Sequence, residues 1–341
     1  MSIKKGPYPF FAAWGEGMRR VNRAPAVLIG VWTLTVLISL PLTAAMRGML
    51  RDHLGDSLAA DSAASGVNYD WMQEFTAQAA GVGVTFGPAV LGFGAVVDNL
   101  SAFIDNERKP IVIIGAASAY VVLWIFLAGG IIDRYARDRV THAHGFFAAS
   151  GMFFFRFLRL GVLMGVAYGL LFRYLHPWLF DTMYPRLTSD VTVERTAFMI
   201  RLGLYAVFGF LLAACNLLFD YAKVRAVVED RRSMLGATAA GARFIRRNAG
   251  AAVGLYIIDV ALFVMVLTLY ALVAPGAGGV GWSMWLGFLT GQIYVLGRLW
   301  VKLVFWASET ALFQGRLAHA GYIAAPKVEW PDSPSAAALG S

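Results

Sequence analysis

The chain has 341 residues, 58% hydrophobic and 15% charged, with mean hydropathy +0.62 and a formal net charge of +8. A soluble domain carries about 25% charged residues, and here the deficit falls in long apolar runs, which excludes a soluble fold and predicts an all-α integral membrane protein. The basic residues flank those runs instead of forming a domain of their own, so membrane lipids are the expected partner and nucleic acid is not. The lone Cys215 allows no intramolecular disulfide and no cysteine-based metal cluster.

In chain order, Met1–Arg23 lacks a short apolar core followed by a small-residue cleavage site, and reads as a retained cytoplasmic segment. Spanning needs about 20 mostly apolar residues. Six segments qualify: Ala26–Met46, Pro110–Ile132, Leu160–Leu179, Leu202–Phe219, Ala251–Val273 and Trp282–Val304. A seventh apolar stretch, Gly81–Val97, is interrupted by Gly81, Gly83, Gly87, Gly92 and Gly94. Each glycine costs a helix about 1 kcal/mol relative to alanine, so 81–104 is expected to lie on the surface or re-enter on the outer side.

Loop charge sets orientation. The N-terminal segment, 133–159 and 220–247 are rich in Lys and Arg, whereas Arg47–Lys109 has four basic residues against eight acidic ones. Both termini are therefore expected in the cytoplasm, with the chain in a bacterial inner membrane.

One pattern recurs three times. Arg20-x-x-Arg23, Arg156-x-x-Arg159 and Arg243-x-x-Arg246 each precede a span, two of them introduced by Phe-Phe-Ala-Ala at 10–13 and 146–149. The exits rhyme as Tyr135-Ala136-Arg137, Tyr221-Ala222-Lys223 and a degenerate Trp306-Ala307-Ser308. This predicts three repeated hairpins at about 8–140, 141–227 and 228–315, each preceded by a cytoplasmic amphipathic elbow helix. The first carries an outer insertion at 47–109. Together they form a single membrane domain, 1–325, followed by an extended tail, 326–341. The six arginines are expected to anchor at lipid phosphates, and Lys302 to snorkel to them.

Ionisable residues at depth are functional hypotheses by default. Asp259 on the fifth span and Arg298 on the sixth stand at similar estimated depths, which predicts an intramembrane ion pair, read as a structural pin or as a proton or anion relay. Asp133 and Asp220 are expected to bond locally at the inner ends of their spans. Gly161, Gly165 and Gly169, with Gly287 and Gly291, place smooth stripes on two spans. These are read as intramolecular helix packing, with homo-oligomerisation as the alternative. In the outer loop, Arg51-Asp52-His53-x-x-Asp56 is the densest polar cluster.

The segment Asp220-Tyr221-Ala222-Lys223-Val224-Arg225, followed by Arg231-Arg232-Ser233 and Arg243-Phe244-Ile245, resembles bacterial six-span membrane proteins, including the membrane domains found beside glycerophosphodiester phosphodiesterases. The likeness covers the last two repeats and implies a six-span plan. It carries over no catalytic residue, since the soluble phosphodiesterase domain is missing here. No nucleotide-binding loop, Gly-x-Ser-x-Gly or His-Glu-x-x-His motif occurs. The expectation is a non-enzymatic accessory or scaffold protein without cofactor or metal, anchoring lipids or a larger complex and meeting a protein partner in the membrane. The alternative is a transporter or channel for a small solute, lipid or ion; a third reading is an enzyme using the 47–109 loop on an outer-face lipid.

Overall fold

The computed structural model describes residues 9–55, 57–66, 68–87, 92–276 and 279–316. The expected tail and Asp56 lie outside them. Among the described residues, six helices are long and apolar enough to cross a membrane.

The short α1 (Phe10–Asn22) leads through Pro25, which has no N–H to lose at a first turn, into α2 (Pro25–Leu54). The helix assignment of α2 continues through Pro41. Three short helices follow: α3 (Ala59–Ser65), α4 (Tyr69–Gln78) and, after a 3-10 turn at Gly81–Thr85, α5 (Gly92–Ile104). At 1.5 Å per residue the 13 residues of α5 reach only about 20 Å, too short for a bilayer core of about 30 Å. Among the described residues the glycine-interrupted stretch thus contributes two short pieces and no seventh long helix.

The second long helix, α6 (Ile111–Arg137), begins after Pro110. Next, α7 (Ala143–Leu170) continues through π-helical turns at Leu171–Leu175 and Trp178–Met183 into α8 (Tyr184–Thr188). The expected second elbow is thus not a separate helix but the first half of α7: no proline lies between Phe146 and Arg159, and the helix runs on through Ser150 and Gly151. The span also runs past Leu179. The wider π turns lie next to Pro177 and Pro185, where an α-helical ring would collide with the carbonyl four residues back.

The remaining helices are α9 (Glu194–Val228), α10 (Met234–Arg247, capped by Ser233), α11 (Ala249–Val273) and α12 (Trp282–Arg316). Both α9 and α12 exceed their expected spans. The spanning estimate measures membrane thickness, and these helices continue beyond it as buried helix, with every residue from Trp306 to Phe313 buried. For α12 the excess over Val304 is twelve residues.

The core gathers at the end of the bundle that carries α1 and α10. Three close helix approaches build it, each at a glycine. A Cβ on Gly17 of α1 would lie 2.6 Å from the Ser308 backbone nitrogen of α12. One on Gly241 of α10 would lie 3.2 Å from the Ala222 nitrogen of α9, and one on Gly129 of α6 would lie 2.7 Å from Phe153 Cβ of α7. Tyr135, Tyr221, Leu255, Leu303 and Phe313 are buried around them.

Two inter-helix turns at this end are locked alike. Asp138 after α6 and Asp230 after α9 both adopt left-handed backbone (φ 47° each), which Asp tolerates better than most residues. Arg19 of α1 binds the Asp138 carboxylate at 2.8 Å, and Arg156 of α7 binds that of Asp230 at 2.5 Å. At the opposite end, His53, Trp71, Phe75 and Phe86 form an aromatic cluster, with Trp71 Nε1 donating to His53 Nδ1 at 3.1 Å. The 47–109 segment docks on the bundle through Asn106, whose amide donates to the Phe172 carbonyl at 3.1 Å, and through Asp105, which accepts from the Tyr205 hydroxyl.

Candidate functional site

Of the six repeated arginines, Arg23, Arg159, Arg243 and Arg246 are exposed. Arg20 and Arg156 are not free for lipid phosphate. Arg20 donates to Glu16 at 2.8 Å, to the Tyr135 carbonyl at 2.9 Å and to Gln314 at 2.8 Å. Arg156 holds Asp230 and stacks on Phe153. The packing of α1 on α12 and of α7 on α6 draws these two side chains inward, so they tie helices together. Outside the spans, the Arg19 hydrogen bond, opposed by burial and reinforced by Arg20, holds the Glu16 carboxyl below the usual glutamate range.

The expected Asp259–Arg298 ion pair is not formed. Asp259 is fully buried, and its Oδ2 accepts from Ser308 Oγ at 2.9 Å. Arg298 stands elsewhere: its neighbour Gly297 packs on Val266, seven residues and about 10 Å along α11 from Asp259. The depth comparison placed the end of α12 at Val304, and the true end at Arg316 shifts the register. Close to Asp259, Glu309 is buried with no hydrogen bond to either carboxylate oxygen, and the Tyr221 hydroxyl is likewise unpaired.

Lys302 does not reach toward an interface. It lies fourteen residues before the end of α12, and its ammonium sits 3.4 Å above the Trp124 ring of α6 and 5.7 Å from that of Trp306. Short of a headgroup layer, the charge finds the negative ring faces instead.

These displaced cations share one cavity. It has a volume of about 730 Å³ and is walled by α6, α7, α9, α11 and α12. Arg298 stands exposed at its rim, and Lys302 and Lys223 line it. Its single acid is Asp220, already engaged: Oδ1 accepts from Lys223 Nζ at 2.7 Å and Trp306 Nε1 at 3.1 Å, and Oδ2 accepts from Asn216 at 2.9 Å. The local pairing expected for Asp220 is present, as it is between Asp133 and Arg137 at 2.9 Å. Three cations and one carboxylate leave a formal excess of two positive charges. Among the described residues neither Arg298 nor Lys302 has a hydrogen bond or an ion pair.

The glycines follow the same geometry. Gly161 packs closely, its added Cβ falling 3.1 Å from Ile125, and Gly287 does so against Pro275. Gly165, Gly169 and Gly291 meet nothing within 4 Å. Instead of seating another backbone, Gly165 faces the cavity. Gly291 lines a second cavity of about 510 Å³ at the opposite end of the bundle. The two cavities share no lining residue. Along α12, Tyr294, stacked on Tyr270 with centroids 4.2 Å apart, stands between Gln292 of the second cavity and Arg298 of the first.

Sequence reasoning found Arg298 and Lys302 through their charge in an apolar run, but missed Trp124, Tyr256 and Trp306 as cavity partners and Glu309 as a buried acid. The signal for Glu309 was a carboxylate one turn beyond the presumed end of the last span.

Helices and cavity together define the class: a helical protein with six segments fit to cross a membrane, enclosing a cationic, aromatic-walled cavity. No family model, curated protein or solved structure matches the chain.

Proposed function

We propose that this protein is a non-enzymatic membrane scaffold that holds an anionic lipid among its helices, organising lipid or a larger complex in a bacterial inner membrane with both termini cytoplasmic. The observation that carries this reading is the pair of unneutralised cations, Arg298 and Lys302, on the wall of a largely apolar cavity. Arg298 is exposed inside an apolar helix, where a charge calls for an anion, and a lipid phosphate is the anion at hand. The matching turn locks, Arg19–Asp138 and Arg156–Asp230, support a repeated hairpin plan with the arginines acting at helix entries. The separation of the two cavities supports anchoring over passage of a solute through the bundle.

The test is lipid composition. Protein extracted in mild detergent should retain anionic lipid above its share in the source membrane, read by native mass spectrometry. R298Q should lose that enrichment. Retained lipid matching the bulk composition, or enrichment unchanged in R298Q, removes the reading.

A further inference from the structure

The cavity offers more than a positive charge, because the one carboxylate that lines it is already engaged by the protein's own groups. Two kinds of protein group hold a ligand cation, carboxylates and aromatic faces. The one carboxylate lining the cavity and two of its rings are already taken by the protein's own lysines. Asp220 is used by Lys223, Asn216 and Trp306. The Trp124 and Trp306 rings carry Lys302, and Trp306 also carries Lys223, 5.2 Å away. A zwitterionic headgroup, with no net charge, would leave the positive excess of the site unchanged. A phosphodiester with one negative charge would neutralise only half the excess.

Building on the anionic-lipid reading above, we infer that the cavity selects an amphiphile whose headgroup is a terminal phosphomonoester, over both phosphodiester and zwitterionic lipids. A phosphomonoester carries about 1.5 to 2 negative charges at neutral pH, which matches the excess of two. Arg298 presents a planar fork suited to two phosphate oxygens, and Lys302 supplies a point charge one helical turn away. The site is walled by protein and lipid, so each unmatched charge weighs more than it would in water. The volume of about 730 Å³ falls in the range that encloses whole small ligands, roughly 300–1,000 Å³, and exceeds what a bare phosphate fills. The remainder is apolar, with Ile125, Met164, Phe263 and the open face at Gly165 as a bed for a chain.

The experiment is competitive lipid binding to the full-length protein in nanodiscs, with phosphatidic acid, phosphatidylglycerol and phosphatidylethanolamine of identical acyl chains. Phosphatidic acid should be preferred over phosphatidylglycerol by about tenfold or more, since one further charge contact of 1.4 kcal/mol is a factor of ten. Phosphatidylethanolamine should be weakest. R298Q should reduce the first preference to near unity. G165L, whose Cβ meets nothing within 4 Å and whose side chain would enter the cavity, should weaken every lipid. Equal binding of phosphatidic acid and phosphatidylglycerol, both above phosphatidylethanolamine, overturns the phosphomonoester inference and leaves the anionic-lipid function standing. Equal binding of all three overturns both. Inorganic phosphate competing at the same concentration as phosphatidic acid overturns the amphiphile and makes a soluble phosphate the ligand.

Discussion

The approach of α1 to α12 at Gly17 makes a sharp mutational contrast. Gly17→Ala places a methyl 2.6–2.7 Å from the Ser308 nitrogen, Cα and Cβ, closer than carbon and nitrogen pack. Two of those three atoms are backbone, in the interior of a 35-residue helix, so no side-chain rotation relieves the contact and the helices must separate. Overpacking of this kind costs about 1–3 kcal/mol, and a rigid neighbour places it at the upper end, about 3 kcal/mol. Gly15, two residues earlier on the same helix, has nothing within 4 Å of its built Cβ. Gly15→Ala should therefore only raise helix propensity, stabilising by up to about 1 kcal/mol. The two variants should differ by about 4 kcal/mol, although they make the same chemical change on one helix. Thermal unfolding of the purified protein in detergent, followed by intrinsic tryptophan fluorescence, measures the difference. Equal melting temperatures for the two variants would refute the claim that α1 is seated on α12 through Gly17.

Other perturbations separate the buried groups. Ser308→Ala removes the donor to Asp259 and leaves a buried carboxyl oxygen without its partner, so it should destabilise by about 1–3 kcal/mol. Combining Asp259→Asn with R298Q in a double-mutant cycle should give additive losses, within about 0.5 kcal/mol; a larger coupling would restore the ion pair. Glu309→Met replaces a buried carboxylate that has no hydrogen-bond partner with an apolar chain of similar length. It should stabilise by about 1–3 kcal/mol in chemical denaturation, and a loss of stability would show that the acid has a partner in the membrane. The Glu16 carboxyl, held below its usual range by the Arg19 and Arg20 hydrogen bonds against burial, contributes stability present above its unfolded pKa and lost as pH falls through the folded value. Hydrogen exchange in α1 should therefore rise in the acid range below about pH 4.5, and Glu16→Gln should remove that pH dependence.

The six long helices were legible because lipid imposes the same demand on each of them: about 20 mostly apolar residues. Lengths beyond the bilayer were not, because that demand stops where the membrane does. Between Val304 and Arg316 the chain keeps its helix by packing on α1, and nothing in a hydropathy window reports a contact with a helix almost 300 residues away. The missing Asp259–Arg298 pair follows from that one error, since the depth of Asp259 was measured from the start of α11 and that of Arg298 from a point, Val304, at which α12 does not end.

Arg298 and Lys302 were visible as charges in an apolar run, and their meaning was not. It depends on which rings and carboxylates stand opposite, and these come from α6 and α9, whose places around the bundle are not encoded in any period. The charge excess arises because Asp220, the one acid within reach, is committed locally to Lys223 three residues away, a pairing the sequence did reveal. The same short-range bond thus decides the charge of the cavity: by occupying Asp220 it leaves Arg298 and Lys302 without a carboxylate partner among the described residues.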